Sequence, residues 1–321
     1  MDLHLLADNL TNPALLFFIL GLLASQIKSD LEIPKNSSKF ISLYLLLAIG
    51  FKGGQELAHS SYTSDIGWSI ITGVALALLV PIYTFFILRF KFSVENAGAI
   101  AAAYGSVSAV TFVTAVSFLE IEQINFGGHM VAVMALMEAP SIIIGVLLIR
   151  MFSNGKKTSQ EFKGILKHAV TNGSVLLIIG SLVIGFMASE AQAAGIKPFT
   201  TDIFKGFLAV FLLDMGITSG KKIGTFVKKG WFALLFAIVI PLVNGIIIAL
   251  CSQFFLSNTG DRFLLAILAA SASYIAVPAA MRIAVPKANP SLYLPMALAI
   301  TFPFNITLGM PIYLYLIQIS P

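Results

Sequence analysis

Long stretches almost free of charged residues recur from one end of this 321-residue chain to the other. A run of about 20 apolar residues spans a bilayer, so the pattern commits the chain to lipid. Composition agrees: 11% of residues are charged and 58% hydrophobic, whereas soluble domains carry roughly 25% charged residues. Apolar runs between polar clusters predict ten spans, near 13–27, 39–51, 67–88, 97–118, 128–149, 165–188, 203–217, 231–255, 263–281 and 291–317. The second and seventh are too short to cross without thinning of the bilayer, snorkelling flanks or burial among neighbours. The N-terminus, with Asp2, His4 and Asp8 before the first run, lacks the basic region of a secretory signal, so that run is read as a helix.

A formal net charge of +5 raises the question of nucleic acid, and the placement of the basic residues answers it. If the ten spans hold, one side carries Lys28, Lys35, Lys39, Arg89, Lys91, Arg150, Lys156, Lys157, Lys163, Lys167, Lys221, Lys222, Lys228, Lys229, Arg282 and Lys287. The other carries Lys52, Lys197 and Arg262, with Lys205 at the start of a span. Positive residues collect on the cytoplasmic side, so both termini are expected outside, in a plasma (inner) membrane. No aromatic-basic recognition motif accompanies the basic residues, and no nucleic-acid partner is expected. The single cysteine, Cys251, lies in an apolar run and supports no disulfide framework.

The order of features repeats. Leu47–Gly54 aligns with Leu213–Gly220, Gly67-Trp68 with Gly230-Trp231, Pro81 with Pro241, Ser106-Val107-Ser108 with Ser271-Ala272-Ser273, and Ala139-Pro140 with Phe302-Pro303. Five spans per half is an odd number, so the second half inserts upside down, the inverted-repeat plan of many secondary transporters. The expected division is 1–151, a solvated cytoplasmic linker at 152–164, and 165–321. The fold class is an all-α membrane protein, a 5+5 inverted repeat with broken fourth and ninth helices.

Carriers of this plan bind solute where helices are interrupted, because an exposed helix N-terminus offers free N–H groups and partial positive charge. The fourth span contains Gly105, Ser106, Val107 and Ser108; its mate contains Ser271, Ala272, Ser273 and Tyr274. Gly105 permits dihedrals that other residues resist, and Pro278 lacks an N–H and crowds the preceding turn. Two facing breaks would make one pocket, with serine hydroxyls donating to a small oxyanion and freed carbonyls ligating sodium. Small residues that merely allow close helix packing are the alternative.

Ionisable groups inside the membrane are costly and mark candidate sites. Glu138 sits mid-span before Ala139-Pro140 and could ligate a hard cation or carry a proton; Asp214 lies nearer an edge, as a possible coupling residue. Ser108, Ser273 and Asn305 complete the candidate sodium ligands, although amides such as those of Asn244 and Asn305 more often bridge helices. His129 is assigned no role. Glu138 and Asp214 could also form a sodium/proton exchange pair or the acids of an intramembrane hydrolase, but the Gly-Asp motif of such hydrolases is absent and no enzymatic activity is expected.

Along Gly105-Ser106-Val107-Ser108, Met137-Glu138-Ala139-Pro140 and Pro286-Lys287-Ala288-Asn289-Pro290-Ser291-Leu292-Tyr293 the sequence resembles the cyanobacterial sodium-dependent bicarbonate transporter family of the SbtA type. The resemblance implies core and gate domains, both broken helices in the core, elevator-like movement, homotrimers, sodium as the coupling ion, no other cofactor, and sodium–bicarbonate symport. Carriers of another small organic anion remain open, because the family has Asp after its second Ser-rich break where Tyr274 and Ile275 stand here. The linker is also shorter than the family's.

Overall fold

The computed structural model describes residues 12–59, 64–153, 173–227 and 230–320, and these are helices and turns with no strand among them. In chain order the helices are α1 (Pro13–Gln26), α2 (Lys35–His59), α3 (Ser64–Leu88), α4 (Val94–Gly105), α5 (Ala109–Ile121), α6 (His129–Phe152) and α7 (Gly173–Met187). They continue with α8 (Glu190–Lys197), α9 (Phe204–Val227), α10 (Trp231–Cys251), α11 (Thr259–Ala270), α12 (Ala276–Ala284) and α13 (Pro290–Gln318). The linker beyond residue 153 and the start of the sixth expected span lie outside the described residues.

Six helical stretches among the described residues have the length and hydropathy of membrane spans: Ser64–Leu88, Val94–Ile121, His129–Phe152, Glu190–Lys222, Trp231–Phe254 and Pro290–Gln318. The described residues are therefore those of an all-helical, multi-pass membrane protein. The helices at the second and seventh expected spans run beyond their apolar stretches: α2 has 25 residues and α9 has 24. At 1.5 Å per residue each is about 36 Å long, and α2 is not among the stretches with the hydropathy of a span.

Glycines set how the helices pack. On α1 and α9, a Cβ at Gly21 would lie 2.2 Å from the Leu213 carbonyl oxygen and one at Gly216 2.1 Å from that of Phe18. On α2 and α7, a Cβ at Gly54 would lie 2.1 Å from the Leu182 oxygen and one at Gly185 2.2 Å from that of Phe51. In lipid, where no hydrophobic drive joins helices, such backbone-close contact is how they hold together. The Gln55 amide adds hydrogen bonds from α2 to the Gly185 and Ala188 carbonyls.

A second set of contacts packs α3, α4 and α6 together. Gly98 and Gly145 bring α4 and α6 into contact, and a Cβ at Gly105 would lie 2.3 Å from Pro81 Cγ of α3. The most apolar part of Val94–Ile121 is 94% buried, against 33% for Ser64–Leu88 and Trp231–Phe254. The latter two present leucine, isoleucine and valine outward as lipid-facing helices do. The interrupted helix pair α4–α5 thus occupies the centre of the bundle.

Candidate functional site

Both interruptions occur at the hydroxyl-rich segments. Helix α4 ends at Gly105, and Ser106–Ser108 run extended into α5; α11 ends at Ala270, and Ser271–Ile275 lead into α12. The chemistry is local. Ser108 N-caps α5, its Oγ accepting from Thr111 N at 3.1 Å, and Ser273 Oγ accepts from Val277 N at 3.3 Å at the start of α12. Such caps satisfy N–H groups left open at a helix start. Pro278 falls in the first turn of α12, where its missing N–H costs nothing. It therefore follows the break and does not sit within it.

The two breaks cross. Ser273 N donates to the Ala103 carbonyl at 2.8 Å, and Ser108 N donates to Ser271 Oγ at 3.2 Å, so each extended segment is stitched to the other. The carbonyls at the ends of the leading half-helices are capped in parallel. Ser141 Oγ donates to Ala102 O at 2.8 Å, and Asn305 Nδ2 donates to Ala270 O at 2.7 Å. Ser141 and Asn305 both follow the α6 and α13 prolines, Pro140 and Pro303, closely in sequence. Tyr104 and Thr301 share a hydrogen bond of 2.8 Å, and Thr301 also donates to Ala237 O at 2.7 Å. Sequence reasoning missed Ser141, Tyr104 and Thr301, although the first follows Glu138-Ala139-Pro140 directly.

A cavity of about 10 Å³ lies at the crossing, lined by Val107–Ala109 on one break, 273–276 on the other, Glu138, Leu46 and Ser174. That is room for about one water-sized species. The N-termini of α5 and α12 both open on it, bringing two ends of partial positive charge to one point. Glu138 is 3% exposed, and its Oε2 has no hydrogen-bond partner among the described residues. Ser106 Oγ, fully buried beside the crossing, likewise has none. The Tyr274 hydroxyl interacts with the Ser108 side chain but falls short of hydrogen-bond geometry. Buried polar atoms are ordinarily paired, and unpaired ones call for an explanation such as a bound species. The Glu138 oxygen, on a residue that lines the cavity, points to a ligand.

The remaining expected residues divide clearly. Gly105, Ser106, Ser271 and Ala272 are buried at the breaks without lining the cavity. Asn305 is fully buried, with Nδ2 on Ala270 and Oδ1 3.4 Å from Tyr313 Oη, so its amide braces the crossing. Asn244 bridges in the same way, accepting from Tyr83 Oη at 2.6 Å and donating to Ala269 O at 3.3 Å. Asp214 is not among the cavity residues; it accepts from Ser38 Oγ at 2.5 Å, joining α9 to α2. His129, given no partner by the sequence, has its Nε2 3.7 Å from Asp261 Oδ2 and 3.3 Å from Ser69 Oγ. Among the described residues no group of three His, Cys, Asp or Glu side chains could hold a metal ion. A cation at the crossing would be held by one carboxylate, hydroxyls and carbonyls, the oxygen donors that hard cations take.

No curated protein matches the chain significantly. A family model described as the Na+-dependent bicarbonate transporter superfamily matches residues 13–318. With nearly its whole length covered, the chain belongs to the Na+-dependent bicarbonate transporter superfamily.

Proposed function

We propose that this protein is a secondary carrier that couples the entry of sodium to the uptake of bicarbonate, binding both at the crossing of its two broken helices. One observation carries the reading: two half-helix N-termini and the unpaired carboxylate oxygen of Glu138 open on the same buried cavity. The N-termini suit an anion and the carboxylate a cation, so each cargo ion finds its counter-charge. Glu138, Ser108 and Ser273 hold sodium; the backbone N–H groups and hydroxyls around Ser106, Val107, Ser271, Ala272 and Tyr274 receive the anion. A cavity of about 10 Å³ is too small for bicarbonate and sodium together, so in this reading it is a closed state that widens when substrate enters.

The architecture that goes with this reading is ten spans in two inverted halves, 1–151 and 165–321, joined by 152–164. Helices α1, α2, α7 and α9 form a gate domain, and the remainder a core that carries both breaks. Both termini lie outside the plasma membrane, and three copies assemble. Labelled bicarbonate uptake into proteoliposomes tests the function: it should require an inward sodium gradient, and uptake that proceeds equally without sodium rejects the coupling.

A further inference from the structure

A second cavity, of about 310 Å³, opens at the end of the bundle that carries Lys52, the end that the distribution of basic residues places outside the cell. Its floor includes Ile49 of α2 and Val116 of α5. One helical turn deeper on α2, Leu46 already lines the small cavity at the crossing. The two cavities thus lie along one line between α2 and α5.

Across that line stands an ion pair. Lys52 Nζ on α2 is 2.5 Å from Glu120 Oε1 on α5, and Lys205 Nζ on α9 is 3.8 Å from Glu120 Oε2. The Lys52 and Glu120 side chains are 29% and 25% exposed. Helices α2 and α9 belong to the glycine-packed pairs with α7 and α1, whereas α5 continues the central broken helix. The pair therefore joins two differently packed bodies. Beside it, a Cβ at Gly128, just before α6, would lie 2.0 Å from the Gly53 oxygen. Val131 packs on Gly53 and Glu56 on Gly128 at the same seam, so α2 meets the start of α6 through two glycines and two side chains.

We propose that the 310 Å³ cavity is the mouth of the substrate path and that the Lys52–Glu120 pair is its gate. A partly exposed pair is weakly bound, which suits a contact that must break in every cycle. When it parts, Lys52 faces an incoming anion and Glu120 an incoming cation. This inference rests on the carrier reading above, since it names the entrance to the same site.

The test uses the full chain with Cys251→Ser, which removes the single native thiol. Val116→Cys, among the residues that line the cavity, is reacted with a membrane-impermeant thiosulfonate. Adding Glu120→Gln should raise the labelling rate at least fivefold, and an unchanged rate overturns the gate. Sodium-driven bicarbonate uptake gives the second readout. Lys52→Glu and Glu120→Lys should each reduce it at least fivefold, and the double swap should return it to within twofold of the parent. A swap no better than the worse single variant overturns the proposal. If Lys52→Glu or Glu120→Lys fails to fold, Lys52→Met takes its place in the labelling assay with the same expected rise. A parent that transports no bicarbonate with sodium counts against the carrier reading alone, because the labelling rate reports on the gate whatever the solute.

Discussion

Replacing Glu138 by Gln removes one charge and keeps the shape, so it isolates what the carboxylate does for the cation. A sodium ion about 4 Å from the carboxylate centre gains ~4 kcal/mol at an effective dielectric of about 20. Since 1.4 kcal/mol is tenfold in affinity, that is close to three powers of ten in the sodium concentration that half-saturates uptake. Part of this is offset, because the carboxylate without sodium is a buried charge with an unpaired oxygen. A rise of roughly a hundredfold is the expected result. The same reasoning gives the fold the opposite sign: relieving an uncompensated buried charge should leave the sodium-free protein as heat-stable as the parent or more so. The assay is bicarbonate uptake by proteoliposomes over a sodium series, with thermal unfolding in detergent measured beside it. A Gln variant that stays folded and half-saturates within threefold of the parent would refute the role given to Glu138.

Ser106→Ala deletes a hydroxyl that has no protein partner, so it should weaken half-saturation by bicarbonate about tenfold with the thermal midpoint unmoved. Asn305→Ala orphans the Ala270 carbonyl and should destabilise the protein by about 1–3 kcal/mol, read as a lower unfolding midpoint in detergent together with lost uptake. Gly54→Ala sets a methyl against the Leu182 carbonyl and should cost about 1–3 kcal/mol as overpacking, seen as a lower midpoint even without sodium. Asp214→Asn keeps a hydrogen-bond acceptor for Ser38 and should preserve sodium-driven uptake within threefold. A pH dye inside the vesicles that responds to sodium in the parent but not in this variant would favour proton exchange.

Much of the membrane pattern could be read from the sequence, because hydropathy and helix breaking leave local marks. Gly105 and the serines around it announce their own interruption, and the Ser-Ala-Ser segment before Pro278 does the same. Helix ends were harder. Helix α2 begins at Lys35 and α9 continues to Val227, both through polar residues at which an apolar count stops although helical hydrogen bonding does not. The short helix α8 went unread even though Ser189 and Gln192 form a capping box, a signal present in the letters. The π-turns of α13 at Met296–Thr301 and Asn305–Gly309 had no such mark. Long-range partners were not legible at all. Asp261 beside His129, Ser38 beneath Asp214 and Glu120 against Lys52 are brought together only by the way the helices pack.

The account turns on where the cargo sits. A structure determined in sodium bicarbonate, compared with one in choline chloride, would locate it directly. Sodium-dependent density beside the Glu138 carboxylate, with a planar anion at the starts of α5 and α12, is the predicted result. Density elsewhere, for instance between Ser38 and Asp214, with the crossing unchanged between the two salts, would contradict it.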